Sequence, residues 1–282
     1  MSLATDAAWT TVSITDANLD SVLAVVSAAA YRDDAGVVSA LEAGGLTQLD
    51  LTGNGTGTFV AANAAFDSWT TIVNDTPAAI IAFRGTDDIN YSTNGLSAVA
   101  SSQDAGYWLD TKGYYDLLAQ GVSAFDAAVS AFGIEQVYVT GHSLGGGAAQ
   151  AYMAEHPDTA DTRYAAVVFG SLGLSGDGEW GTDARIAAFS DPSDLTNDLG
   201  TQTAAFTISV EKGDASLSST PDLATLIADP ASFLTTHSIA LFADDASRYD
   251  AARAGIPSTD VTTFITTTVQ FNGVTLAMSS PK

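Results

Sequence analysis

Ser143 is the residue of this sequence best placed to act as a nucleophile. It lies in Gly141-His142-Ser143-Leu144-Gly145, a G-x-S-x-G pattern, with the apolar run EQVYVT before it and the helix-forming run AAQAYMAE after it. Between a strand and a helix, this pattern puts the serine on a sharp, strained turn with its hydroxyl raised above the carboxyl edge of a sheet. Three successive glycines, Gly145 to Gly147, fall in the first turn of that helix, where each costs roughly 1 kcal/mol relative to alanine. Their expected use is spatial. Gly141 and Gly145 leave room beside the serine, and Gly146 and Gly147 let the helix approach the sheet closely. A phosphate-binding glycine loop is the competing reading, but no lysine follows the glycines and the chain is strongly acidic.

A serine hydroxyl attacks carbonyl carbon only when a base takes its proton. Three histidines are available. His142 is the neighbour of Ser143 and points elsewhere at such a turn, so packing is its expected role. His156 stands at a helix end before Pro157, where a histidine interacts with the helix dipole. His237, in LTTHSIALF, is on a loop that opens a helix late in the chain and is the remaining base.

The elements that must position these groups follow from periodicity. Residues 17–32 place Leu19, Val22, Leu23, Val26 and Ala30 at helical spacing, a helix packed on a sheet. GTFVAANAAF and PAAIIAFRG read as strands, the second apolar enough to be central. Asp87 to Trp108 is a long stretch without regular patterning, of the kind that is usually functional. A long amphipathic helix is expected over about 113–131, then the strand EQVYVT and a helix over 144–155. RYAAVVFG, ARIAAFS and AAFTISV are further strands, and a helix begins near His237. The last segment alternates around Asn272-Gly273 and reads as a β-hairpin over about 261–279. Strands alternating with helices imply an α/β architecture with a mostly parallel central sheet flanked by helices, in one domain over residues 1–282.

VTGHSLGGGAA resembles the nucleophile segment of the fungal-type (class 3) lipases of the α/β-hydrolase fold, and IIAFRGTDD resembles the oxyanion-loop segment of the same family. The resemblance covers roughly residues 17–247. It implies the chain order Ser…Asp…His, with His237 as base. RIAAFSDPSDLTNDLG offers Asp191, Asp194 and Asp198 for the acid: counting forward from Arg185 favours Asp191, and counting back from DLTNDLG favours Asp194, which is preferred. The family's valine and proline after the aspartate are replaced here by Thr196 and Asn197. The backbone N–H of Leu144 and, by resemblance, the N–H and hydroxyl of Thr86 would hold the oxyanion, while Arg84 is structural, pairing a buried carboxylate or carbonyls. The family carries a lid after its oxyanion residue, which makes residues 87–108 the lid candidate, with Ile89, Tyr91, Leu96, Val99, Tyr107 and Trp108 as its apolar face and a transient contact with lipid interfaces as its use. The family's His-x-Gly-Phe is here Thr111-Lys112-Gly113-Tyr114.

Composition narrows the partners. The 33 acidic against 9 basic residues give a net charge of −24, which repels nucleic acid and anionic membranes. Cysteine is absent, which removes thiolate catalysis and zinc–thiolate sites. Val22–Tyr31, the longest strongly apolar stretch, is too short to span a bilayer. The first residues have neither a basic nor an apolar region of signal-peptide type, although family habit and the cysteine-free acidic composition favour secretion. No cofactor is expected. DLTGNGTG and DPSDLTND supply oxygen ligands for a structural calcium, though neither has EF-hand spacing. The resemblance implies an ester or lipid substrate, triacylglycerol first. Short-chain esterase, phospholipase A1 and feruloyl esterase share the scaffold, and a non-catalytic binding protein of the same fold is the alternative of another class.

Overall fold

PAAIIAF, with few polar atoms on either side, forms a strand covered on both faces. Along it Ala78, Ile80 and Ala82 enter one core cluster, while Ala79, Ile81 and Phe83 enter the other, as the two-residue period of a strand requires. In the computed structural model the described residues are 14–31, 35–86, 105–175, 178–192, 194–209, 237–254, 265–271 and 274–279. The strands are β1 (Thr47–Gln48), β2 (Thr58–Ala61), β3 (Ala64–Val73), β4 (Thr76–Phe83), β5 (Gln136–His142), β6 (Arg163–Phe169), β7 (Asp183–Ser190) and β8 (Ala204–Ser209). They form an eight-stranded sheet in the order β1-β3-β4-β5-β6-β7-β8, with β2 paired to β3. The pairs from β4 to β8 are parallel, and those of β1, β2 and β4 with β3 are antiparallel.

Helices cover both faces: α1 (Leu19–Ala29), α2 (Ala35–Ala43), α3 (Thr111–Asp116), α4 (Ala119–Phe132), α5 (Leu144–Glu155) and α6 (Ile239–Arg253). Buried residues of α1, α2 and α6 share one cluster with Tyr138, Val167, Phe169 and Phe189 of the sheet. Those of α3, α4 and α5 share the other with Val137, Val139, Val168 and Ile186. A sheet buried on both faces needs the near-continuous apolar strands that this chain supplies. A separate hairpin, β9 (Ile265–Phe271) and β10 (Val274–Ser279), follows. Asn272-Gly273, where the expected turn falls, lie outside the described residues. No helix among the described residues is long and apolar enough to cross a membrane.

Two elements differ from the sequence reading. GTFVAANAAF is two antiparallel strands, because Ala62 takes a left-handed φ of 54° and turns the chain. The helix expected over 113–131 is broken into α3 and α4 at Leu117–Leu118, where the N–H groups of Leu117 and Leu118 bond three residues back. Leu118 is thereby driven into the core, and α4 ends at Gly133, whose φ of 61° is the left-handed C-cap glycine favours. Neither α2 nor β1 was signalled by periodicity.

The two ends of the fold are tied by a pair of carboxyl groups. Asp250 Oδ2 of α6 accepts the Ser21 N–H of α1 at 2.8 Å across 229 residues of sequence, and Asp20 hydrogen-bonds to the Asp250 side chain. Both are buried. Arg253 Nη2 lies 3.2 Å from Asp250 and 3.7 Å from Asp20. Burial, then repulsion from Asp20, pushes the Asp250 pKa up to about 7. A carboxyl whose folded pKa lies above its unfolded value of 3.8 contributes stability that is full below that value and is lost as pH rises through about 7. Asp250→Asn keeps an acceptor for Ser21 and cannot ionise. Thermal melts from about pH 5.5 to about pH 8.5 should show the parent losing stability relative to Asp250→Asn, by roughly 2–4 °C per kcal/mol of charge penalty removed. Parallel curves would show that the pair does not titrate in this range.

Candidate functional site

Strand register brings the candidate residues to one edge of the sheet. Phe83 of β4 pairs with Gly141 of β5, His142 with Phe169 of β6, and Phe169 with Phe189 of β7. The segments that leave these strands therefore emerge side by side, carrying Thr86, Ser143, Gly170 and Asp191–Asp194. Ser143 N–H donates to the Phe169 carbonyl at 3.0 Å, and Gly170 N–H to that of Phe189 at 2.9 Å.

Ser143 has φ 58° and ψ −125°, a conformation that costs a non-glycine residue about 1–3 kcal/mol and persists only where the surroundings enforce it. The enforcement comes from close backbone approach. A Cβ on Gly141 would stand 2.2 Å from the Gly145 carbonyl oxygen, and one on Gly145 would stand 2.1 Å from that of Phe83. On Gly146 it would meet the Ser171 hydroxyl at 2.5 Å, just beyond β6. On Gly147 it would meet the Thr111 methyl of α3 at 2.9 Å and the Leu172 carbonyl oxygen beyond β6 at 3.2 Å, so this glycine admits α3 as well as the segment that leaves the sheet. α5 starts directly at Leu144, whose N–H belongs to the first helical turn and has no intrahelical acceptor.

His237 Nδ1 lies 2.6 Å from Asp194 Oδ2, and the residues are 5% and 0% exposed respectively. Asp194 caps a 3-10 turn over Leu195–Asp198, its Oδ1 accepting the Thr196 N–H at 3.0 Å. One carboxylate oxygen is thus held by the backbone and the other by the imidazole. Asp191 is also buried, but its backbone carbonyl organises the turn, accepting Asn197 Nδ2 at 2.6 Å and the Asp194 N–H at 2.9 Å. Asp198 is exposed. Thr196 and Asn197, the departures from the family pattern, are the residues that fix this loop. His237 directly precedes Ser238, which caps α6.

His142 does more than pack. Its Nε2 lies 2.8 Å from the His237 carbonyl oxygen, its Nδ1 2.7 Å from the Tyr31 hydroxyl, and its ring centroid 4.6 Å from that of His237. Burial, then the neighbouring His237, holds its pKa well below the usual histidine range, so the ring is neutral. A carbonyl only accepts, so Nε2 carries the proton and Nδ1 accepts from Tyr31. The residue next to Ser143 thereby grips the backbone of His237, and sequence reasoning missed both His142 and Tyr31 in this role. Tyr31 carries no local signal, being simply the residue after a helix end.

His156 behaves as expected. At the end of α5 its Nδ1 donates to the Tyr152 carbonyl at 2.7 Å, and its Nε2 faces Asp126 at 3.1 Å. Burial opposes the charged ring, but the Asp126 and Tyr152 hydrogen bonds outweigh it and raise its pKa.

On the oxyanion side, Arg84 Nη2 donates to the Asn63 carbonyl at 2.9 Å, the structural role expected of it. Thr86 is buried. Trp108 Nε1 donates to Thr86 Oγ1 at 3.0 Å, and the Tyr114 hydroxyl donates to the Arg84 carbonyl at 2.8 Å. Thr111, in place of the family histidine, bonds the Gly173 carbonyl at 3.1 Å. Of the lid candidate 87–108, residues 87–104 lie outside the described residues. Tyr107 and Trp108, at its end, pack against the core beside α3. In DLTGNGTG, Asp50 accepts four backbone N–H groups, from Thr52, Gly53, Asn54 and Gly55, so its carboxylate closes its own loop. In DPSDLTND, Asp194 is committed to His237. Among the described residues no group of three or more His, Asp or Glu is arranged to hold a metal ion.

Residues 91–210 match the family described as alpha/beta hydrolase fold, and the chain has that fold. Similar solved structures include the Lip2 lipase from Yarrowia lipolytica, at 12% identity over 72% of this chain and 82% of that chain with a TM-score of 0.44. A fungal lipase matches at 15% identity over 70% of this chain and 81% of that chain, TM-score 0.48. A lipase from Rhizopus microsporus var. chinensis matches at 14% identity over 64% and 67%, TM-score 0.39. No curated protein matches.

The glycine contacts give a direct test. Gly145→Ala sets a methyl against the Phe83 carbonyl, and denaturant unfolding should show a loss of about 3 kcal/mol or more. A loss below about 1 kcal/mol would mean that the start of α5 can move off the sheet.

Proposed function

We propose that this α/β-hydrolase is a carboxylic ester hydrolase that works through a Ser143–His237–Asp194 triad and a covalent acyl-enzyme, with triacylglycerol as its substrate. The observation that carries the reading is the buried 2.6 Å contact of His237 Nδ1 with Asp194 Oδ2, linked through His142 to the strained turn of Ser143. With Nδ1–H donated to Asp194, the imidazole is in the tautomer whose Nε2 can receive a proton.

In this reading the Ser143 hydroxyl attacks the ester carbonyl carbon as His237 Nε2 takes its proton. The carbonyl π-electrons move to oxygen, and the oxyanion is met by the Leu144 N–H and by Thr86. Collapse expels the alcohol, which takes the proton from His237, and leaves the acyl group on Ser143. Water, deprotonated by His237, then adds to the acyl carbon, and the acid departs as Ser143 recovers its proton. Asp194 holds the ring and stabilises the imidazolium throughout. The stretch over residues 87–108 serves as the lid over the acyl site, with Tyr107 and Trp108 as its anchored end, the enzyme meets its substrate at a lipid interface, and it is secreted. These three statements rest on the sequence resemblance.

A fluorophosphonate probe should label the protein at Ser143, and Ser143→Ala should abolish labelling and lower turnover by about 10⁴-fold or more. A protein that does not react is a binding module and overturns the proposal. Asp194→Asn should lower kcat by about 10⁴-fold, whereas Asp191→Asn should leave most of it. Initial rates on p-nitrophenyl esters from two to sixteen carbons identify the substrate class. A long-chain maximum with a rise at the solubility limit is the lipase outcome, and a short-chain maximum that saturates in solution replaces lipase by esterase.

A further inference from the structure

Residues 105–114 hold the oxyanion segment at two points, one on its backbone and one on a side chain. The Tyr114 hydroxyl donates to the Arg84 carbonyl at 2.8 Å, and the Trp108 indole N–H donates to Thr86 Oγ1 at 3.0 Å. The segment is itself anchored. Tyr107 and Tyr114 stand edge to face at 5.7 Å, Asp110 caps α3 through the Gly113 N–H at 3.0 Å, and Thr111 bonds Gly173 and Ser175 in the loop after β6.

We infer that Trp108 is a positioning residue of the oxyanion site, whose indole N–H sets the direction in which the Thr86 hydroxyl donates. The inference rests on the reading of Thr86 as an oxyanion donor. An indole N–H only donates, whereas a hydroxyl both donates and accepts. With one Thr86 lone pair occupied by Trp108, the hydroxyl proton must point away from the indole. A hydroxyl that accepts a hydrogen bond is also polarised into a stronger donor. Thr86 thus has its proton aimed before substrate arrives, which avoids a reorientation as negative charge develops. Trp108 touches neither the reacting atoms nor the oxyanion; it acts through Thr86.

The test replaces Trp108 by benzothienylalanine, which keeps the bicyclic shape with sulfur in place of N–H, and by Phe in a second variant (Trp108→Phe). Each is made in the parent and in Thr86→Val. The expected result is a fall in kcat of about 5- to 10-fold, the scale of one hydrogen bond, at unchanged KM. Affinity for a trifluoromethyl ketone that forms the tetrahedral adduct should fall by the same factor. In the Thr86→Val background, neither replacement should lower kcat further. An active parent whose kcat is unchanged by the sulfur analogue overturns the inference, as does an equal loss in the Thr86→Val background. A parent that neither turns over esters nor reacts with fluorophosphonate overturns the reading of the site itself and the inference with it.

Discussion

The approach of the first turn of α5 to the ends of β4 and β5 is the constraint from which the rest of the site follows. With backbone carbonyls only 2.1–2.2 Å from where a Cβ would stand on Gly145 and Gly141, no side chain fits at either place. The chain can enter α5 from β5 only by turning sharply at Ser143, and that turn needs φ 58°. The weak helix start, the strained serine and the closeness of the Arg84–Thr86 segment are one packing solution. Local helix propensity is sacrificed for backbone proximity, and the buried sheet beneath supplies the stability that holds it.

The second ordering principle is a network of polar links across the crest of that sheet. Tyr31, His142 and the His237 carbonyl form one line, and the His237 ring, Asp194 and the Thr196 N–H form another. His237 is held from both sides, by its backbone through the first line and by its ring through the second. Buried polar groups are tolerated where each finds a partner, and here His142 and Asp194 come from strand ends that parallel register has brought together, while Tyr31 and His237 come from the end of α1 and the start of α6. The neutral state of His142 belongs to the same logic, since a charge beside His237 would be buried and repelled.

The architecture was legible in the sequence where burial is two-sided or periodic. PAAIIAF, EQVYVT and RYAAVVF could be read as strands because both faces are apolar, and the G-x-S-x-G turn because its glycines have no other reason to be there. Ala62, which splits one apolar run into a hairpin, gave no warning, since alanine is not a residue that favours a left-handed φ. The break at Leu117–Leu118 was equally silent: both halves keep helical periodicity, and only packing separates them. Asp191 and Asp194 could not be told apart by spacing because the loop between β7 and β8 uses both, one for its backbone and the other for its carboxylate. Tyr31, His142 and Trp108 were hidden because their partners lie 111, 95 and 22 residues away. Trp108 in particular reads as one more apolar residue until its indole nitrogen is seen against Thr86.

α1 is buried along nearly its whole length, between strands β5 and β6 and helix α6, and is bonded to α6 across 229 residues. A ribosome making this chain releases α1 long before α6. At the roughly 5–20 residues per second of synthesis, the apolar face of α1 waits about 10 to 50 s for its cover. The nascent protein therefore carries α1 exposed until α6 emerges, and its dependence on chaperones should lie there rather than at the site.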